Sequence, residues 1–316
     1  MWKFKFLNIR NERQFNAFTG LAYQEFELLL SEFTNCLKLT QQMRYKNNRS
    51  NRKRKPGGGR KGTLSTPELK LFFILFYLKN YPTFDVLGCL FDISPAKAQE
   101  NVVKLMPILK QAEKRLRFLP HRHFKPASDN KQDIDNIEKI IIDATERPYH
   151  RPHHDRQQKH YYSGKKHYHT LKNTVIGDVK HGIPVVGPTA AGSRHDYALL
   201  KDELNPNQAG LSSVEVYVDL AYQGIKDRYP AFHKIHLPYK KPRKSKDNPN
   251  PTLTPQQKKE NRAISRIRVI IENLIGDMKS FQILSIKFRN RIKNFGDQVT
   301  LMVAGLCNLK NHYVVQ

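Results

Sequence analysis

Three carboxylates stand where their neighbours would strip them of water. Asp143 follows Ile140-Ile141-Ile142, Asp219 follows Tyr217-Val218, and Glu272 lies between Ile270-Ile271 and Leu274-Ile275. A carboxylate pressed into apolar surroundings persists where something compensates its charge. A divalent cation does so, because hard cations take oxygen ligands. Two aspartates at strand ends and one helical glutamate could hold two Mg²⁺ ions across a scissile phosphate. One ion would activate water or a 3′-hydroxyl and the other would stabilise the leaving oxygen. Spacing alone leaves a plainer alternative open, in which each acid is a turn cap or an ion-pair partner.

The elements that would carry these acids can be read from periodicity. Lys139 to Ile142 reads as a buried strand ending at Asp143, and Lys172 to Val179 with Gly182 to Val186 as a hairpin turning at Lys180-His181-Gly182. His195 to Glu203 reads as a helix, Val214 to Val218 as a strand ending at Asp219, and Lys234 to Leu237 as a further short strand. Pro238 to Pro255 is a basic, proline-rich loop, and Pro255 to Phe281 is a long helix bearing Glu272. That order predicts a mixed α/β sheet rather than a strictly alternating one. On the long helix Arg268, Glu272 and Lys279 share a face. Arg268 could orient Glu272 or hold a phosphate, and Lys279 could contact a DNA backbone. An ordinary surface ion pair worth about 0.3–0.5 kcal/mol is the alternative.

Upstream the pattern is helical throughout. Residues 13–40 carry Phe15, Phe18, Tyr23, Phe26, Leu29, Leu30 and Phe33 at helical spacing. Ser65 or Thr66 with Pro67 and Glu68 marks a helix start, Tyr81-Pro82 ends that helix, a short helix spans Thr83 to Phe91, and Ser94-Pro95 opens a third. Helix, short helix, tight turn and helix is the layout of a helix-turn-helix unit, in which Lys97, Gln99, Glu100 and Lys104 would face a DNA groove. Packing in a plain three-helix bundle is the rival reading.

The 316 residues carry 55 Lys+Arg against 28 Asp+Glu, a formal charge of +27, with 17 Phe and 14 Tyr to build a core. A strongly basic chain with that many aromatics is a folded binder of polyanions rather than a disordered polycation. Between Arg44 and Gly62 nine basic residues, among them Arg52, Lys53, Arg54 and Lys55, occur with no acid, around Pro56-Gly57-Gly58-Gly59. This reads as a flexible linker gripping phosphates. His150, His153, His154, His160, His167 and His169 crowd with Tyr161, Tyr162, Lys165 and Lys166. A β-hairpin presenting basic and aromatic groups to DNA, with the tyrosines stacking on an unpaired base, suits them better than zinc, for which the spacing is irregular. Cys36, Cys89 and Cys307 form no CxxC pair, which points to a reducing compartment. No apolar run or leader-like segment suggests a membrane or a secretory route, so a cytoplasmic location is expected.

An ordered set of motifs resembles the bacterial insertion-sequence transposases of the DDE superfamily, in the branch that also resembles the Harbinger-type nucleases. The set comprises Ile142-Asp143-Ala144-Thr145-Glu146-Arg147-Pro148, Tyr161-Tyr162-Ser163-Gly164-Lys165-Lys166-His167, Gly192-Ser193-Arg194-His195-Asp196, Asp219-Leu220-Ala221-Tyr222-Gln223-Gly224, and Arg268 to Glu272 with Lys279. Ser265 stands where the family has the tyrosine of its tyrosine–arginine–glutamate–lysine signature. The resemblance implies a ribonuclease-H-like catalytic domain in which Asp143, Asp219 and Glu272 bind two Mg²⁺ or Mn²⁺ ions, with His195 and Asp196 beside the site. It also implies binding of double-stranded inverted-repeat ends, strand cleavage, transfer to target DNA, and a homodimer or larger assembly. The expected organisation is a helical segment over 1–43, a basic linker over 44–62, a helix-turn-helix domain over 63–125 and the catalytic domain over 137–312. The rival function is a non-catalytic, domesticated or decayed DNA-binding protein.

Overall fold

Side-chain caps set the helix boundaries in the computed structural model, which describes residues 9–47, 62–124, 137–207, 211–246 and 248–315. The chain divides into two compact units. The first takes the chain up to residue 119 together with 279–285 and 301–314, and the second takes 120–278, 286–300 and the last two residues.

In the first unit, α1 (Glu12–Thr19) and α2 (Tyr23–Asn47) replace the single helical stretch expected over residues 13–40. Gly20 breaks it at φ 81°, donating its N–H to the Asn16 carbonyl in a left-handed cap. A side chain there would lie 2.6 Å from the Phe281 ring, so only glycine fits. The next three helices are α3 (Pro67–Asn80), α4 (Phe84–Leu90) and α5 (Pro95–Arg115), capped by Thr66, Thr83 and Ser94. Between Ser65 and Thr66, it is Thr66 that accepts the Leu69 N–H, at 3.2 Å. Every residue of α3 from Leu71 to Leu78 is buried, so this helix is the axis of the unit.

The second unit is built on a mixed sheet. Its elements are β1 (Lys139–Pro148), α6 (Asp155–Tyr161), β2 (Tyr162–Ser163), β3 (Tyr168–Asp178), β4 (Gly182–Val186), β5 (Ala190–Ala191), α7 (Asp196–Glu203), β6 (Glu215–Tyr217), α8 (Ile225–Arg228), β7 (Lys234–His236) and α9 (Pro255–Lys279). The order runs β2-β3-β1-β6-β7, with β4 and β5 also on β3. β1 is antiparallel to β3 and parallel to β6, and β6 is parallel to β7. Ile140 and Ile142 join Val185, Tyr197, Leu200, Val216 and Tyr222 in one core cluster. Ile141 pairs with Gly177, where an added Cβ would lie 2.7 Å from Ile271 Cδ1 and 3.0 Å from Leu274 Cδ1. The missing side chain is what lets α9, and Glu272 with it, approach the sheet.

Two expectations are corrected. β1 does not end at Asp143: its ladder with β3 continues to Pro148 opposite Thr170, so Asp143 lies inside a strand. The histidine-rich stretch is a hairpin only at Tyr162-Ser163 against Tyr168-His169, because residues 155–161 form a helix. After α9 come α10 (Gln282–Ser285) and α11 (Phe295–Lys310), whose residues from Leu301 onward pack with the first unit. Leu301, Met302, Val303, Ala304, Leu306, Cys307 and Leu309 are all buried, so this stretch has no polar face to leave outside a core. Among the described residues no helix is long and apolar enough to cross a membrane.

Glu113, near the end of α5, is fully buried, and neither carboxyl oxygen has a hydrogen-bond partner. Burial holds its pKa well above the ordinary value of 4.5. From pH about 4.5 upward the unfolded chain releases this proton while the folded chain keeps it, so stability falls as pH rises, by up to about 1.4 kcal/mol per unit. Glu113→Gln removes that slope. Chemical denaturation from about pH 5 to pH 7 should therefore show the variant gaining on the parent as pH rises, and parallel curves would contradict the burial argument.

Candidate active site

The three carboxylates arrive from three elements. Asp143 projects from the middle of β1, opposite Val175, and its Oδ1 accepts the Ala144 N–H at 2.8 Å. Asp219 follows β6 by two residues and caps a single 3₁₀ turn, accepting the Leu220 N–H at 2.5 Å. Glu272 stands exposed on α9. Arg268 draws the last two together: its Nη1 lies 3.7 Å from Asp219 Oδ1 and its Nη2 4.0 Å from Glu272 Oε1. The side chain of Arg268 is only 16% exposed, and its Nε has no hydrogen-bond partner. Both ion pairs are long, so the guanidinium neutralises the acids without being locked to either.

Asp143 is the most confined of the three. Burial pushes its pKa up, the Ala144 N–H and Arg268 pull it back, and Asp196 and Asp219 push it up again. A carboxylate whose charge burial disfavours is one that a hard divalent cation could compensate. As the side chains stand, no three His, Cys, Asp or Glu among the described residues are close enough to share an ion. Behind the acids, Tyr222 is fully buried and its hydroxyl has no partner. Its pKa is raised well above the usual value by burial, then by Asp143, Asp196, Glu203 and Asp219. Tyr222 sat unremarked inside the Asp-Leu-Ala-Tyr-Gln-Gly motif.

A second charged cluster was not foreseen from the sequence. Lys172 on β3, with its side chain 7% exposed, reaches Asp196 Oδ1 at 2.7 Å and Glu146 Oε1 at 3.3 Å, and donates to the Arg194 carbonyl at 2.7 Å. Glu146 lies directly opposite Lys172 in the ladder. Its burial alone would raise its pKa, but hydrogen bonds from Thr170 and Ser163, with Lys172, bring it below the ordinary value. The cluster pins the start of α7 to the sheet. There His195 is the N-cap, its Nδ1 accepting the Tyr197 N–H at 3.3 Å, and Asp196 opens the first turn. The signal that could have found Lys172 is a lone lysine in a strand otherwise uncharged from Leu171 to Gly177.

The candidate DNA contacts are dispersed. Lys97, Gln99 and Lys104 are exposed on α5, but both lysines are tied to Glu100, Lys97 at 2.6 Å. Lys165 and Lys166 are exposed in the turn between β2 and β3, and Lys279 closes α9. Arg52, Lys53, Arg54 and Lys55 lie outside the described residues.

Comparison with known proteins bears on both units. Residues 142–308 match the family model described as DDE superfamily endonuclease, and residues 62–114 match the helix-turn-helix of DDE superfamily endonuclease. The chain is 27% identical over 300 residues, 94% of each sequence, to the probable transposase for insertion sequence element IS702 of Microchaete diplosiphon. No solved structure gives a significant match.

Removing one partner of a buried ion cluster leaves the others uncompensated, at a cost of about 3–5 kcal/mol. Lys172→Met should therefore destabilise the protein by about that much, and Lys172→Met combined with Glu146→Gln and Asp196→Asn should recover most of it. Chemical denaturation of the two variants measures the difference. A triple variant as unstable as the single one would show that packing, not charge, is lost.

Proposed function

This chain belongs to the DDE superfamily of endonucleases, and from that premise we propose that it is an insertion-sequence transposase that binds its element's inverted-repeat ends, cuts them and joins the 3′-hydroxyls to target DNA. The observation that carries the reading is that the single guanidinium of Arg268 offsets acids from three elements, Asp219 at the end of β6 and Glu272 on α9 as ion pairs and Asp143 on β1 through its charge. All three acids lie within the segment matched to the endonuclease family. The sheet, antiparallel across β4, β3 and β1 and parallel across β1, β6 and β7, supports a ribonuclease-H-like domain.

In this mechanism Asp143, Asp219 and Glu272 hold the divalent ions, two per site, as Mg²⁺ or Mn²⁺. Bound there, the ions supply activation of the attacking oxygen and stabilisation of the leaving one. Arg268 balances the acids, and its guanidinium would be available to pair with a phosphate if divalent ions offset their charge. The buried Tyr222 hydroxyl, which has no hydrogen-bond partner, lies within the field of the same acids. Lys172 keeps His195 and Asp196 against the strand that bears Asp143. The helix-turn-helix unit, matched to the family's own, brings double-stranded DNA, with Lys97, Gln99 and Lys104 facing the groove. The basic linker through Arg52, Lys53, Arg54 and Lys55 adds contacts to phosphates irrespective of sequence, as do Lys165, Lys166 and Lys279. Two ends must be held together for joining, so the working form is a homodimer or larger.

The test separates binding from cutting. Asp219→Asn keeps the shape of the side chain and removes the charge that holds a cation. The variant should fold, should bind the element's end DNA with the parental affinity, and should cut a supercoiled plasmid carrying those ends several orders of magnitude more slowly in Mg²⁺. Asp143→Asn and Glu272→Gln should behave alike, and Asp196→Asn should lose less. Near-parental cutting by Asp219→Asn, at matched metal and salt, would leave a protein that binds DNA without using these acids.

A further inference from the structure

The second unit contains a pocket of about 630 Å³ that the proposed chemistry does not use. That volume lies within the range of small-molecule sites. Its walls combine two kinds of group. One wall is aromatic: Tyr149 and Tyr161 lie 4.9 Å apart between ring centroids and are tilted by 46°, with the His150 ring 3.9 Å from Tyr149. The floor is Phe288, with the buried Arg147 guanidinium 4.5 Å above its ring. The rim carries Arg291 and Lys293, both exposed.

The charge balance inside the pocket favours an anion. Of its three carboxylates, Asp297 is taken by Arg122 at 2.6 Å and Asp202 by Arg194 at 2.5 Å. Glu203, desolvated by burial first, has its pKa pushed up to about 7 and so carries only part of a charge at neutral pH. Arg291 and Lys293 are thereby left facing an entrance with little acid to answer them.

The walls are also preformed. Phe288 N–H donates to the Pro148 carbonyl at 2.9 Å, Tyr149 N–H donates to His169 at 2.8 Å, and the Ser193 hydroxyl holds the carbonyl of His160, next to Tyr161, at 2.6 Å. Gly296 admits the arginine, because a Cβ there would lie 2.5 Å from Arg147 Nη2. An aromatic slot with a cationic rim is the chemistry of a single nucleotide, whose base has a π face and whose phosphate is an anion.

We propose that this pocket captures one unpaired nucleotide of the bound DNA, its base stacked against Tyr149 and Tyr161 and its phosphate held by Arg291 and Lys293. Tyr149 lies six residues beyond Asp143 on the chain leaving β1, about 20 Å at the rise of an extended strand. That is about six stacked nucleotides at 3.4 Å each, so the captured nucleotide belongs to the strand near the cut rather than to the cut itself. The proposal rests on the reading of this protein as one that works on DNA, and it adds a requirement for local unpairing.

The experiment uses the full chain and two short duplexes of random sequence, without metal. One carries 2-aminopurine opposite an abasic site, and the other carries it paired. Binding is followed by anisotropy and stacking by 2-aminopurine fluorescence. The parent should quench the unpaired probe and leave the paired one unchanged, although both bind. The Tyr149→Ala, Tyr161→Ala double variant should lose the quench and bind the unpaired duplex about tenfold more weakly, the scale of one lost base stack. Its affinity for the paired duplex should not change. The corresponding double variant to phenylalanine should behave as the parent, since the rings are retained. Equal fluorescence responses from the two duplexes, or a quench that survives in the alanine variant, would overturn the capture. Because no cleavage is read, a parent that quenches but never cuts overturns only the nuclease reading, and one that cuts without quenching overturns only the pocket.

Discussion

Negative charge is confined around the central strand of the second unit, and the surrounding structure is organised by how that charge is offset. β1 carries Asp143 and Glu146 three residues apart, so the two project to opposite faces of the sheet. Each receives one dominant cation. Arg268 comes from α9 to serve Asp143, Asp219 and Glu272, and Lys172 comes from β3 to serve Glu146 and Asp196. Neither cation could do so without a packing arrangement that brings its backbone close. For Arg268 that arrangement is the bare Cα of Gly177, against which Ile271 and Leu274 settle. For Lys172 it is the register of β1 on β3, which places it opposite Glu146.

The two compensations differ in kind. Lys172 is 2.7 Å from Asp196 and hydrogen-bonded to a backbone carbonyl, which is the geometry of a fixed strut. Arg268 stands 3.7 and 4.0 Å from its acids and keeps a buried Nε without a partner, which is the geometry of a charge that can be exchanged. In a low-dielectric setting such a difference decides which acids are held fast by their cation and which are only neutralised by it. The strut holds its neighbours in place, whereas Arg268 neutralises its acids without binding them closely.

The first unit handles charge differently. On the exposed face of α5, Glu100 is shared by Lys97 and Lys104, and their hydrogen bonds, Lys104 foremost, pull its pKa down to about 2. Such exposed pairs are weak and screened by salt, so phosphates can compete for the lysines. Inside the same helix, Glu113 has no cation bonded to it and stays neutral instead. Three carboxylate environments, namely compensated, shared at the surface and neutralised by burial, coexist because each is the least costly response to its own degree of desolvation.

The local elements were legible in the sequence because their signals are local. Thr66-Pro67 and Ser94-Pro95 begin helices by satisfying backbone donors a few residues away, and Lys180-His181-Gly182 turns a hairpin in one step. The three candidate acids were legible as well, since a carboxylate among isoleucines is conspicuous without any fold. What the sequence could not carry was every relation between distant residues. That β1 runs on past Asp143 depends on β3 offering partners as far as Thr170. That α11 from Leu301 serves the first unit depends on which surfaces remain to be covered, and nothing in the sequence marked residues 155–161, none of them buried, as a helix rather than a hairpin arm. Lys172 looked like one more cation in a chain of charge +27. Only pairing across the sheet set it between two acids, because a cation's role is decided by the charges within a few ångströms of it, and those lie 24 and 26 residues away along the chain for Asp196 and Glu146.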